Sequence, residues 1–119
     1  MSDIRMGAAE AKFADLIWEN EPIASGQLAK LAEGELNWKK TTSFTVLKRL
    51  CDRGLFQNIN GSVTSLMKRE EYYARHSAQY VEETFGGSLP AFLAAFSKRR
   101  KLSDEEYLEM RKLIDEMRG

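Results

Sequence analysis

The sequence predicts a mainly α protein, a winged helix-turn-helix with a small β-hairpin, followed by a three-helix C-terminal region. Three observations carry this. Three amphipathic helices precede an Asn-Gly hairpin signal. The chain after the hairpin is all helix-forming. Its short helices carry apolar stripes that need a partner surface.

The first helix spans Ala8 to Asn20, with Phe13, Leu16 and Ile17 on one face and Glu10, Lys12, Asp15 and Glu19 largely off it. Glu21-Pro22 stops it, because the residue before proline is pushed out of the helical region. The second helix is expected to start with Ser25 as N-cap and to end near Gly34. Leu28, Leu31 and Ala32 form its buried stripe.

The third helix runs from about Lys39 to Arg53 and stops at Gly54. Val46, Leu47 and Leu50 make its apolar face. Strands are expected at Leu55 to Ile59 and Val63 to Met67, joined by Asn60-Gly61, which tolerate the positive φ angles of a type I′ turn. Beyond the hairpin, a helix is expected from Glu70 to Phe85 and is broken by Gly86-Gly87. Ser88 caps the next helix, with Pro90 in its first turn. Ser103 and Glu106 form a capping box for the last one. The expected domains are residues 1–68, the winged helix, and 69–119, a helical dimerisation region.

Composition excludes several function classes. The chain has 119 residues, formal net charge zero, one cysteine and one histidine. Cys51 alone builds neither a disulfide nor a thiolate cage, and His76 alone leaves little material for a zinc site or a histidine-based triad. The N-terminus, Met1 to Met6, lacks the apolar core of a signal peptide, and no apolar run is long enough to span a bilayer. The expectation is a cytoplasmic protein without membrane insertion, catalytic site, metal or cofactor.

The candidate binding element is the third helix. Lys39, Lys40, Lys48, Arg49 and Arg53 put five cations in a segment with one acid, Asp52. Thr41, Thr42, Ser43 and Thr45 add short hydroxyls suited to phosphates or base edges. A helix-turn-helix places its second helix in the major groove of double-stranded DNA. The alternative is an ordinary solvated amphipathic helix. The hairpin tip, Asn58 to Ser62, has no lysine or arginine, so it reads better as a sheet closing the core than as a phosphate contact.

Elsewhere packing is favoured over chemistry. Trp18 and Trp38 read as core seals, Cys51 as an inert thiol and His76 as an exposed side chain. The paired acids Glu70-Glu71 and Glu82-Glu83 point in different directions on a helix. The basic run Lys98 to Lys101 reads as complementing the preceding helix dipole, against DNA contact or an exposed linker. Tyr80, Phe85, Leu89, Phe92, Leu93, Phe96, Leu113 and Ile114 read as a homodimer interface.

Ala9-Glu10 followed by Ile17-Trp18, then Trp38, Thr42, Thr45, Leu47, Arg49, Leu50 and Gly54, resemble the penicillinase and methicillin-resistance repressor family. So do Arg69-Glu70-Glu71-Tyr72, Phe85-Gly86-Gly87-Ser88 and Leu102 to Glu106. The resemblance implies a homodimer that represses transcription from an inverted-repeat operator. It also implies release through a membrane sensor-protease system that triggers cleavage in the dimerisation region, here at Ala95-Phe96. The asparagine of the best-known members is absent from that position. C-terminal cysteines of the copper-responsive branch are absent too. Phe44 stands where some relatives carry an arginine aimed at DNA. The competing expectation is a winged-helix protein-interaction adaptor without DNA binding, motivated by the hairpin without cations and the zero net charge.

Overall fold

The computed structural model describes residues 4–119, so the reading of Met1 to Asp3 lies outside the described residues. Its elements run α1 (Ala8–Asn20), β1 (Ile23–Ala24), α2 (Ser25–Leu36), α3 (Lys40–Asp52), β2 (Phe56–Ile59), β3 (Ser62–Ser65), α4 (Arg69–Phe85), α5 (Leu89–Phe96) and α6 (Asp104–Met117). The fold is mainly α, a winged helix with a helical C-terminal region. Two compact units divide within α4, Met1–Ser77 and Ala78–Gly119.

The first unit is built on one core. Phe13 and Ile17 of α1, Leu28 and Ala32 of α2, Leu50 of α3, Leu55, Phe56 and Val63 are essentially sealed from solvent. The helical members lie on the apolar faces that helical periodicity selects, whereas the burial of adjacent Leu55 and Phe56 does not follow strand alternation. Trp38 stacks on Phe13 with ring centroids 5.2 Å apart. Trp18 packs against Phe56 and Tyr72, and its indole N–H donates to the Met67 carbonyl at 3.0 Å. Both tryptophans are half-buried seals of this core, as expected.

The end of α3 is a Schellman motif. The Leu55 N–H reaches the Leu50 carbonyl and the Gly54 N–H reaches the Cys51 carbonyl. Gly54 makes this possible at φ 82°, a conformation that side-chain-bearing residues rarely adopt. At the hairpin, Asn60 and Gly61 both take positive φ, 53° and 84°, as a type I′ turn requires. The strands are shorter than expected because the Leu66 and Met67 N–H groups both converge on the Leu55 carbonyl, which ends the ladder.

Three local expectations are corrected. Ser25 is the first residue of α2 and not its N-cap, which is Ala24. The reason is β1, a two-residue strand absent from the sequence reading. It pairs antiparallel with β3 (Ile23 with Val63, Ala24 with Ser62), giving a sheet of order β1-β3-β2. The Ser25 N–H then donates to the Gly61 carbonyl at 2.8 Å, so the hairpin satisfies this helix start. Gly34 lies inside α2, and the helix ends at Asn37, in the left-handed region at φ 58°. His76 is half-buried, its ring stacked on Tyr72 one helical turn earlier with centroids 5.5 Å apart.

Glu21 locks the hairpin to the end of α1. Its carboxylate accepts from the Ser65 N–H and hydroxyl, each at 2.9 Å, and Lys68 lies 3.6 Å away. Burial pushes its pKa up, but the Ser65 hydrogen bonds and Lys68 outweigh burial and hold it below the ordinary glutamate value.

The second unit is organised by its caps. The Ser88 hydroxyl accepts from the Ala91 N–H at 3.1 Å. Ser103 and Glu106 form the expected capping box, and Arg100 clamps Glu106 at 2.7 Å. Tyr80, Phe85, Phe92 and Phe96 form a chain of ring contacts with centroids 5.6 to 6.3 Å apart. No residue of α5 or α6 is fully buried.

Two predictions follow from these locks. A Cβ at Gly54 meets no atom within 4 Å, so Gly54→Ala carries only the backbone cost of positive φ. It is expected to destabilise the first unit by about 1–2 kcal/mol in urea unfolding. A lowered folded pKa at Glu21 means stability that is present above the unfolded glutamate pKa and lost as pH falls through the folded one. Thermal melts of the parent and Glu21→Gln should therefore differ at neutral pH and converge in acid, and a gap independent of pH would refute the lock.

Candidate nucleic-acid interface

Helix α3 is divided along its length by burial. Ser43, Val46, Leu47 and Leu50 face the core, while Lys40, Thr41, Thr42, Thr45, Lys48 and Arg49 are exposed. Ser43, expected with the threonines at the surface, is corrected to the core side, 2% exposed, its hydroxyl without a partner. The spacing explains it, since position 43 lies one turn from Val46 and Leu47.

Thr41, Thr42, Thr45, Val46 and Arg49 line one shallow depression of about 220 Å³. The Thr45 hydroxyl donates to the Thr41 carbonyl at 2.9 Å, which fixes its rotamer and leaves its lone pairs outward. Lys39 is the N-cap of α3 and supplies no side-chain cap. The first-turn N–H groups of α3 therefore lack a side-chain acceptor beside Lys39 and Lys40. That combination attracts anions, because helix dipole and side-chain charge have the same sign there. Lys40 also sits over the Phe44 ring, 5.7 Å from its centroid.

The five cations are not equivalent. Lys48 pairs with Asp52 at 3.1 Å, an exposed pair within one helix. Arg49 reaches across to Glu10 of α1 at 3.4 Å. Arg53 is the C-cap, donates to the Arg5 carbonyl at 2.9 Å and lies 3.9 Å from Glu10. Periodicity places Glu10 on a polar face, but its pairing with residues about forty positions away has no signal in spacing. Only folding brings α1 and α3 together.

The hairpin tip offers Asn58, Ile59 and Asn60 to solvent, with Ile59 57% exposed. Half-buried Cys51 has its thiol pKa pushed up by burial and by Asp52, against a smaller opposing effect of Lys48. A thiol held protonated in this way is a poor nucleophile. No three His, Cys, Asp or Glu side chains among the described residues converge as a metal site.

In the second unit, Tyr80, Leu89, Leu93, Phe96, Leu113 and Ile114 are each 39% to 57% exposed, and Phe85 and Phe92 are half-buried among the rings. Leu102, Tyr107, Leu108 and Met117 extend this apolar surface beyond the residues singled out in the sequence. Ala95 and Phe96 lie in the last turn of α5, both exposed. Among the basic run, Arg100 covers the Phe96 ring at 5.5 Å as well as pairing with Glu106. No helix among the described residues is long and apolar enough to cross a membrane.

No curated protein matches the chain. A family model described as penicillinase repressor matches residues 6–116.

Proposed function

The chain belongs to the penicillinase repressor family, a family of DNA-binding transcriptional regulators, and from that premise we propose that it binds an inverted-repeat operator as a homodimer. The observation that carries this is the exposed face of α3. Thr41, Thr42, Thr45 and Arg49 line one depression next to the cationic, uncapped helix start at Lys39 and Lys40. A recognition helix uses its N-terminal residues at base edges, and this is where those residues lie.

Within this reading, Thr41, Thr42, Thr45 and Arg49 contact base edges and nearby phosphates. Lys39, Lys40 and Lys48 contact the backbone. Lys48 gives up little on leaving Asp52, because an exposed pair within one helix is worth only about 0.3–0.5 kcal/mol. Arg53, engaged with Arg5 and Glu10, is a weaker candidate than its charge suggests. The hairpin tip contributes no cation, so affinity rests on α3.

Residues 69–119 would form the dimer. An apolar surface of this extent on short helices resembles half of an interface core. Two-fold pairing of that surface would give the dimer two copies of α3, one for each half-site of an inverted repeat. Release by proteolysis at Ala95-Phe96, driven by a membrane sensor-protease system, is compatible with the exposure of both residues. Cleavage there would require local unwinding of the end of α5.

Gel-shift titration on a duplex from the chain's own promoter tests the DNA reading. Binding should weaken steeply as salt rises, because phosphate contacts release counterions. Arg49→Ala should cost about 1–3 kcal/mol of operator affinity with the dimer intact. Absence of any salt-sensitive duplex binding would favour the protein-interaction adaptor. Leu113 is 57% exposed in the single chain, so Leu113→Glu is tolerable in a monomer but places a charge in the proposed interface. Sedimentation should report monomers, and an unchanged dimer would refute the interface.

A further inference from the structure

Glu10 has three distinct contacts in the first unit. Its carboxylate oxygen Oε1 accepts from the Gly7 N–H at 3.1 Å, which satisfies the N-cap backbone donor of α1 and restrains the group. Its other oxygen, Oε2, meets Arg49 Nη1 at 3.4 Å, and Oε1 lies 3.9 Å from Arg53 Nη1. Only 17% of its side chain is exposed, whereas Arg49 is 51% exposed. The acid is therefore fixed and largely enclosed, while the arginine keeps half its surface for another partner. This geometry differs from the Lys48–Asp52 pair, in which both members are mostly in water.

Two physical consequences follow. A guanidinium held by a fixed carboxylate has already lost part of its rotamer freedom, so binding costs it less ordering and tolerates fewer orientations. Its charge is also partly offset at a distance by the largely enclosed carboxylate, which Arg53 shares, so the three groups together keep one net positive charge. An Arg49 of this kind adds less than a full charge to generic attraction toward phosphate. It still presents fixed N–H donors where a bidentate acceptor such as a guanine edge fits.

We infer that Glu10 is a specificity-determining positioning residue: it orients Arg49 and suppresses that arginine's sequence-independent attraction to phosphate. The assignment rests on the DNA-binding reading of α3. Glu10 acts through Arg49 and needs no contact with DNA.

The test compares the parent, Glu10→Gln, Arg49→Ala and the double variant, each titrated across a salt series on the promoter duplex and on a scrambled duplex. Glutamine keeps an acceptor for the Gly7 N–H and removes the charge. Glu10→Gln should bind the scrambled duplex more tightly and steepen the salt slope by up to about 0.9 per protomer. The ratio of specific to scrambled affinity should fall. In the Arg49→Ala background the same change should leave that ratio unmoved. Arg49→Ala alone should flatten the slope by less than about 0.9 per protomer, since Glu10 already offsets part of its charge.

An unchanged slope and ratio for Glu10→Gln would overturn the inference while leaving DNA binding intact. So would a full loss of about 0.9 per protomer with Arg49→Ala. If Glu10→Gln fails to melt cooperatively, the Arg49→Ala slope decides alone. If the parent shows no salt-dependent duplex binding, both this inference and the reading beneath it fall.

Discussion

Burial of one side of α3 is the constraint on which the rest of the molecule depends. Val46, Leu47 and Leu50 belong to the same core cluster as Phe13, Ile17 and Leu28. Because a helix has a fixed pitch, burying those three side chains sets where every other residue of α3 points. Thr41, Thr42, Thr45 and Arg49 come together in solvent for that reason, and Ser43 is drawn inside for the same reason. The Schellman turn at Gly54 then reverses the chain without lengthening the helix, so the hairpin returns over the core. Its Gly61 carbonyl satisfies the start of α2, and Glu21 fastens Ser65 to the end of α1. The orientation of α3 is thus set by contacts on its buried side and at its ends.

Electrostatics refine what this surface offers. A neutral chain can still attract an anion if its positive charge is local. Here the attraction is graded along α3. Lys39 and Lys40 at the helix start add to the dipole. Farther along, Asp52 and Glu10 each hold cations in place. The start of the helix is suited to generic phosphate attraction and the middle to oriented contacts.

The second unit shows the opposite balance. Its helices are capped at Ser88 and Ser103, yet α5 and α6 bury no residue fully. Caps and ring contacts define the helices, but they do not remove enough apolar surface from water to make a core. A surface of that kind is what the proposed pairing of two chains would cover.

Much of this was legible in the sequence, for a local reason. Helix pitch, the Asn60-Gly61 turn, the Gly54 stop and the Ser88 and Ser103 caps depend on neighbouring residues, so the amino-acid order alone determined them. It also determined which face of α3 is apolar. What the tertiary structure decided depends on residues distant in sequence. β1 is two residues long and exists because β3 lies beside it, and its arrival displaced Ser25 from the cap position. His76 lost its exposure to Tyr72. The partners of the α3 cations were decided in the same way. Five cations are visible on one segment, but the pairing of Arg49 and Arg53 with Glu10 arises only when α1 and α3 meet across the fold, because an ion pair requires proximity in space and sequence order carries no record of it.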